Sequence, residues 1–356
     1  AVRTSRARPG SLQRMPHVAP GGDAELARFR RLATWTLAAT FILILIGGIV
    51  RVSDSGLGCG PAGSGTHGWP LCEGGLIPEA TSESIIEYTH RIAAAVVGVL
   101  IAWMAYVALR NLRPYRWIVR GTVAAGVLVL AQAALGGLTV EEGLEDELVA
   151  AHLALAMILL GLLFLLRRGA EEGAETPPEA TTRTLKPLTG LAAVLVLATI
   201  VAGGYVAGTE YHGTTDQPQP GAAHVACGTG WSADNFPGCN GRGFLSFGQS
   251  RLADIQLTHR LFMYLTAIAV LVMAFVAMRR SAPSRAFPLA AGLLVLQIAL
   301  GIINVYAGKH AGLIVGHLML GTVLWSVVVW AGASLLPSDS PVPEPARGRE
   351  TAGAPA

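Results

Sequence analysis

Four histidines stand inside long apolar stretches of this sequence: His90, His152, His259 and His317. They form two pairs whose surroundings repeat. Glu87-Tyr88-Thr89-His90-Arg91 is echoed by Gln256-Leu257-Thr258-His259-Arg260, and Val149-Ala150-Ala151-His152-Leu153 by Ile314-Val315-Gly316-His317-Leu318. An ionisable side chain in a membrane segment is costly and usually functional. Neutral imidazole ligates haem iron, and two imidazoles on opposing helices supply both axial positions. A zinc site asks for three or four ligands. Each pair here has few carboxylates nearby, so haem fits the donor set better. The plain alternative is an interhelical hydrogen bond, which accounts for one isolated histidine more readily than for two repeated pairs at matching depth. His17, His67, His212, His224 and His310 fall in tails or loops and read as mostly solvated. Of these, His67, His212 and His224 have the reach to touch a ligand's edge.

The repeat breaks at one chemically informative position. Glu87 lies three residues before His90, on the same helix face, and its counterpart is Gln256. Gln keeps the shape and loses the acid. A carboxyl beside a haem in a low-dielectric site suits proton transfer or stabilisation of developing positive charge. Chemistry is therefore expected in the first half, with electron transfer or a structural haem in the second. The competing reading leaves Glu87 at the outer interface, bonded to water. Arg51, Arg91 and Arg260 suit haem propionates, or simple snorkelling to the interface. Gly136, Gly137 and Gly301 suit close helix packing or room for a flat macrocycle.

These residues need a membrane scaffold. Of 356 residues, 52% are hydrophobic and 14% charged, with mean hydropathy +0.51. Soluble domains carry about 25% charged residues. A net charge of +3, with Lys and Arg in short clusters, gives no sign of nucleic-acid binding. Eight runs reach the roughly 20 apolar residues a membrane helix needs: 32–51, 84–109, 117–139, 147–166, 187–208, 252–278, 286–306 and 311–335. None reads as a cleavable signal peptide.

Lys and Arg mark the inner side of a membrane protein. They cluster before the first run and after the second, fourth and sixth, while residues 52–83 have none. Both termini are thus expected in the cytoplasm, with the two long loops outside the cell membrane. There the pairs Cys59/Cys72 and Cys227/Cys239 are expected as disulfides.

The fold expected is all-α: eight transmembrane helices as two pseudo-symmetric four-helix bundles, related by a parallel repeat. The divisions are a tail at 1–31, a first half at 32–168, a linker at 169–186, a second half at 187–335, and a tail at 336–356. Met15 is an alternative start, and the tails read as disordered from their Arg, Pro, Gly and Ala content.

Taken together, these residues resemble the haem A synthase family. The resemblance rests on Gly47-Gly48 followed by Arg51 and Ser55-Gly56-Leu57, then Trp69-Pro70 with the Cys59/Cys72 pair, and Glu87-Tyr88-Thr89-His90-Arg91. His152, Thr258-His259-Arg260 and His317 complete it, so that it spans most of residues 32–335. One departure is the Gly-rich stretch 60–68 between the first two cysteines, where the family is more compact.

The resemblance implies oxidation of haem O to haem A, turning a porphyrin methyl into a formyl group through hydroxylated intermediates, for use in terminal oxidases. It implies that His90 and His152 bind the substrate haem, that His259 and His317 bind a haem b cofactor, and that Glu87 is the catalytic carboxylate. The implied partners are a haem O synthase as donor, an electron acceptor of unidentified kind, and the terminal oxidase assembly machinery. Two alternatives stay open: a dihaem b-type electron-transfer protein linked to quinol, and a haem carrier.

Overall fold

The computed structural model describes residues 22–171, 177–209, 223–282, 284–308 and 310–336. Eight long α-helices account for most of them: α1 Gly22–Val52, α2 Ser82–Asn111, α3 Arg116–Glu141, α4 Asp146–Gly169, α5 Glu179–Gly208, α6 Arg251–Arg279, α7 Ala286–Ala307 and α8 Ala311–Ala333. All eight are long and apolar enough to cross a membrane. Their outward faces carry Trp35, Val99, Leu130 and Ile268, each more than 60% exposed. That much apolar surface is tolerated only against lipid. The chain is an all-α, multi-pass membrane protein.

The helices following the two long loops start on side-chain caps. Thr81 accepts from the Ser84 N–H before α2, and Ser250 from the Ala253 N–H before α6. Each cap satisfies a donor that has no partner within the helix.

Neighbours along the chain pack together. α1 lies against α2 and α4, and α3 also lies against α2 and α4. The later helices repeat this: α5 touches α6 and α8, and α7 touches α6 and α8. The two sets meet where α4 packs on α5 and α8, and where α1 packs on α8. One apolar core draws residues from all eight helices. Its largest fully buried side chains, among them Phe29, Met104, Ile118, Leu163 and Phe287, lie toward the ends remote from the cysteine loops. The four histidines sit nearer those loops and are half-buried.

Two boundaries differ from the sequence reading. Residues 22–31, expected as tail, belong to α1. Leu26, Phe29 and Ala33 are fully buried, so the apolar face continues at helical spacing beneath the charged residues that end the hydropathic run. Likewise α5 begins at Glu179, inside the expected linker, and carries Pro187 within it. Pro187 looks like a helix start because it lacks an N–H. Burial of Thr181, Thr182 and Leu185 keeps the preceding turns helical in spite of that missing bond.

Candidate functional site

Each of the four histidines lies against a glycine of the helix before it. A Cβ placed on Gly47 of α1 would lie 3.1 Å from His90 Cε1, and one on Gly136 of α3 would lie 3.0 Å from His152 Cε1. The later helices match: Gly203 of α5 meets His259 Cε1 at 3.0 Å, and Gly301 of α7 meets His317 Cε1 at 3.0 Å. Only a residue without a side chain lets the imidazole approach its neighbour's backbone so closely.

Hydrogen bonds to the backbone orient the helices that carry His152 and His317. Gln132 of α3 donates to the His152 carbonyl at 2.9 Å, and Gln297 of α7 donates to the His317 carbonyl at 3.0 Å. These glutamines had no role in the sequence reading; their equal spacing from the following histidine was the available signal. The Nδ1 atoms of His90, His152 and His317 are buried without a hydrogen-bond partner, whereas His259 Nδ1 lies 3.0 Å from the Thr199 carbonyl oxygen. That bond would hold the proton on Nδ1 and leave Nε2 as the donor atom, as is usual for imidazole ligands. Among the described residues, no three His, Cys, Asp or Glu side chains gather as a bare metal ion would need. Two imidazoles per pair, seated by glycine, fit a haem, with Gln297 Nε2 at 3.2 Å from His317 Nε2 the contact that a ligated His317 would give up.

The cysteine loops close over the same ends. Disulfides Cys59–Cys72 and Cys227–Cys239 are both formed. The Cys59 N–H donates to Glu87 Oε2 at 2.8 Å, and the Cys227 N–H donates to Gln256 Oε1 at 3.0 Å. Glu87 is 3% exposed, so it is not a residue of the wet outer surface. Its second oxygen pairs with Arg91, while the amide of Gln256 instead donates to the His224 carbonyl at 3.0 Å. The two halves thus share a scaffold bond and differ in charge.

The arginines hold the loops as well. Arg91 donates to the Leu71 carbonyl at 2.7 Å and Arg260 to the Gly238 carbonyl at 2.6 Å, each the residue just before a disulfide cysteine. Arg260 is 4% exposed and lies over the Phe236 ring, which removes the snorkelling reading for it. Arg51 reaches across to α5, donating to the Ala207 carbonyl at 2.6 Å. Gly137 accommodates the Trp69 ring of the first loop, which is a packing role. His67 lines a cleft in that loop with Glu73 and Glu79. His224 sits in a short turn over Gln256. His17 and His212 lie outside the described residues, and His310 precedes α8.

Cutting the first disulfide should loosen this lid. Cys72→Ser opens a loop with a sequence separation of 13, worth about 3 kcal/mol in the chain-entropy account. The expected outcome is faster proteolysis of residues 53–81 with helix content retained, read by limited digestion and circular dichroism.

Comparison with known proteins identifies the family. Among similar proteins, the "Heme A synthase" of Halalkalibacterium halodurans is 28% identical over 306 residues, covering 83% of this chain and 93% of the relative. That of Shouchella clausii is 26% identical, covering 85% and 95%. That of Rhizorhabdus wittichii is 27% identical over 352 residues, covering 85% and 94%. A family model described as cytochrome oxidase assembly protein matches residues 30–329, from within α1 to within α8. The chain therefore belongs to the COX15-CtaA family of cytochrome oxidase assembly proteins.

Proposed function

We propose that this protein is a haem A synthase that oxidises a methyl group of haem O to the formyl group of haem A. The observation that carries this reading is one chemical difference at a matched place in the two sites. Glu87 and Gln256 occupy the same place, accept the same kind of backbone bond and sit one turn before a histidine. Only the first site has a carboxylate.

In this reading α1–α4 and α5–α8 are two pseudo-symmetric four-helix bundles. His90 and His152 hold the substrate haem, and the buried carboxylate of Glu87 accepts a proton released as the methyl group is oxidised. Arg91 holds the Glu87 carboxylate in place. His259 and His317 hold haem b, which supplies one-electron transfer when bound. Arg51, Arg91 and Arg260 put positive charge at the outer ends of the sites, where propionates would lie. The disulfide loops, tied down by Arg91 and Arg260, close over the outer ends of the sites. Haem O would arrive from a haem O synthase in the same bilayer, electrons would leave to an acceptor, and haem A would pass to the oxidase assembly machinery.

The loops face outward and both termini lie in the cytoplasm, on the basis of the Lys and Arg distribution. After reduction, a membrane-impermeant thiol reagent applied to intact cells should label Cys59, Cys72, Cys227 and Cys239. Labelling that requires lysis would reverse the topology.

The decisive experiment supplies haem O to cells making the protein, then identifies the haems extracted from the purified protein by chromatography and mass. Haem A or a hydroxylated intermediate, missing in Glu87→Ala, supports the synthase reading. Haem B alone, with haem O unconverted, supports a dihaem electron-transfer protein instead. Haem O recovered unchanged in stoichiometric amount points to a carrier.

A further inference from the structure

The two paired glycines each face two ways. Gly47 of α1 seats the His90 imidazole, while a Cβ on the next residue, Gly48, would lie 2.8 Å from Leu318 Cδ2 on α8. Leu318 directly follows His317. The mirror arrangement exists on α5: Gly203 seats His259, while a Cβ on Gly204 would lie 2.8 Å from Leu153 Cδ2 on α4. Leu153 directly follows His152. Gly48 and Gly204 are both buried. Two chains of contact result, His90–Gly47–Gly48–Leu318–His317 and His259–Gly203–Gly204–Leu153–His152. Each begins at a histidine of one half and ends at a histidine of the other.

We propose that Gly48 and Gly204 are positioning residues that couple the two haem sites, each setting the seat of a histidine in the opposite half. The coupling rests on the reading of these four histidines as haem ligands. Its physical basis is close packing. Adjacent Cα atoms are held 3.80 Å apart by the peptide unit, so a helix cannot shift at Gly47 without shifting at Gly48. Packed interiors pass such shifts on rather than absorbing them. A haem drawn tightly between His259 and His317 thereby fixes Leu318 against α1, and with it the wall behind His90. By reciprocity, loading or release of substrate in the first half changes the affinity of the second half for its haem. An enzyme that binds one haem permanently and exchanges another gains order of assembly from this: the cofactor site fills and the substrate site is then shaped.

The test uses the full-length protein purified with its haems. Low-spin electron paramagnetic resonance signals are assigned to each half by their loss in His152→Ala and His317→Ala. Gly204→Val is expected to move the signal of the His90/His152 haem and weaken its retention by about tenfold, the low end of what loss of a supporting contact costs a metal site. Gly48→Val is expected to do the same to the His259/His317 haem. Gly190→Val is the control on α5, since a Cβ there meets nothing within 4 Å. The companion change Leu153→Ala should restore the signal in Gly204→Val by returning the volume. A Gly204→Val protein whose opposite-half signal is unmoved, or that does not accumulate and is not rescued by Leu153→Ala, overturns the coupling. A wild-type protein without bis-histidine low-spin signals instead defeats the haem-ligand reading on which it stands.

Discussion

Glu87→Gln should stop haem O conversion while leaving the fold and both haems intact. Gln is already accommodated at the matching place, where Gln256 accepts the Cys227 N–H and donates to the His224 carbonyl. At position 87 the new amide can accept from the Cys59 N–H in the same way. What disappears is the ion pair with Arg91 and the capacity to take a proton. Removal of a general base typically costs 10²–10⁴-fold in rate, so a loss of at least about 100-fold in haem A formed per haem O supplied is expected. The visible spectrum of the bound haems should change little. Turnover within about twofold of wild type would exclude Glu87 as the proton acceptor; a general base cannot be replaced by an amide at so small a loss. Gln256→Glu is the reciprocal change, and no second activity is expected from it.

Ligand substitutions should separate the two sites by stoichiometry. His259→Ala is expected to remove the haem of the second half and leave the first half able to hold haem O. His90→Ala is expected to do the reverse. Each variant should therefore carry about half of the wild-type haem, since the remaining imidazole alone is a poor clamp for a group that otherwise has two axial ligands. The His259 variant carries the greater penalty per ligand. Its Nδ1 bond to the Thr199 carbonyl supports a stronger donor than His90, whose Nδ1 has no such partner. Pyridine haemochrome analysis gives the count, and reverse-phase separation identifies which haem remains. Loss of both haems from either variant, with the protein still monodisperse and haem supplied well above what a roughly tenfold weaker site needs, would mean a single shared site and would end the two-site reading.

The weaker support behind His90 suits the substrate role proposed for it. A site that must release its product gains nothing from the tightest available ligand. A cofactor site gains from an imidazole whose orientation is held. The same contrast appears at the loops, where Arg260 is fully engaged with the backbone at Gly238 and Asn235, while Arg91 divides its guanidinium between the Leu71 carbonyl and Glu87.

Much of the protein was legible before any coordinates. Eight apolar runs of membrane length, the alternation of loops rich and poor in Lys and Arg, and two repeated pairs of intramembrane histidines follow from composition and local pattern. The difference between Glu87 and Gln256 also needed only the repeat. Helix periodicity places Glu87 and His90 on one face because that relation is local, lying within one turn of one helix.

The tertiary structure decided which helix stands opposite each of those faces. The contacts of Gly47 with His90, Gly48 with Leu318 and Gly204 with Leu153 join residues far apart in the chain. The engagement of Arg91 and Arg260 with the residues before Cys72 and Cys239 likewise depends on how each loop folds back over its bundle. So does the early start of α1, where Leu26 and Phe29 find a core that hydropathy could not show. Spacing along a helix sets the direction in which a side chain points. What it meets there is set by packing between elements distant in sequence, where the partner is selected by shape.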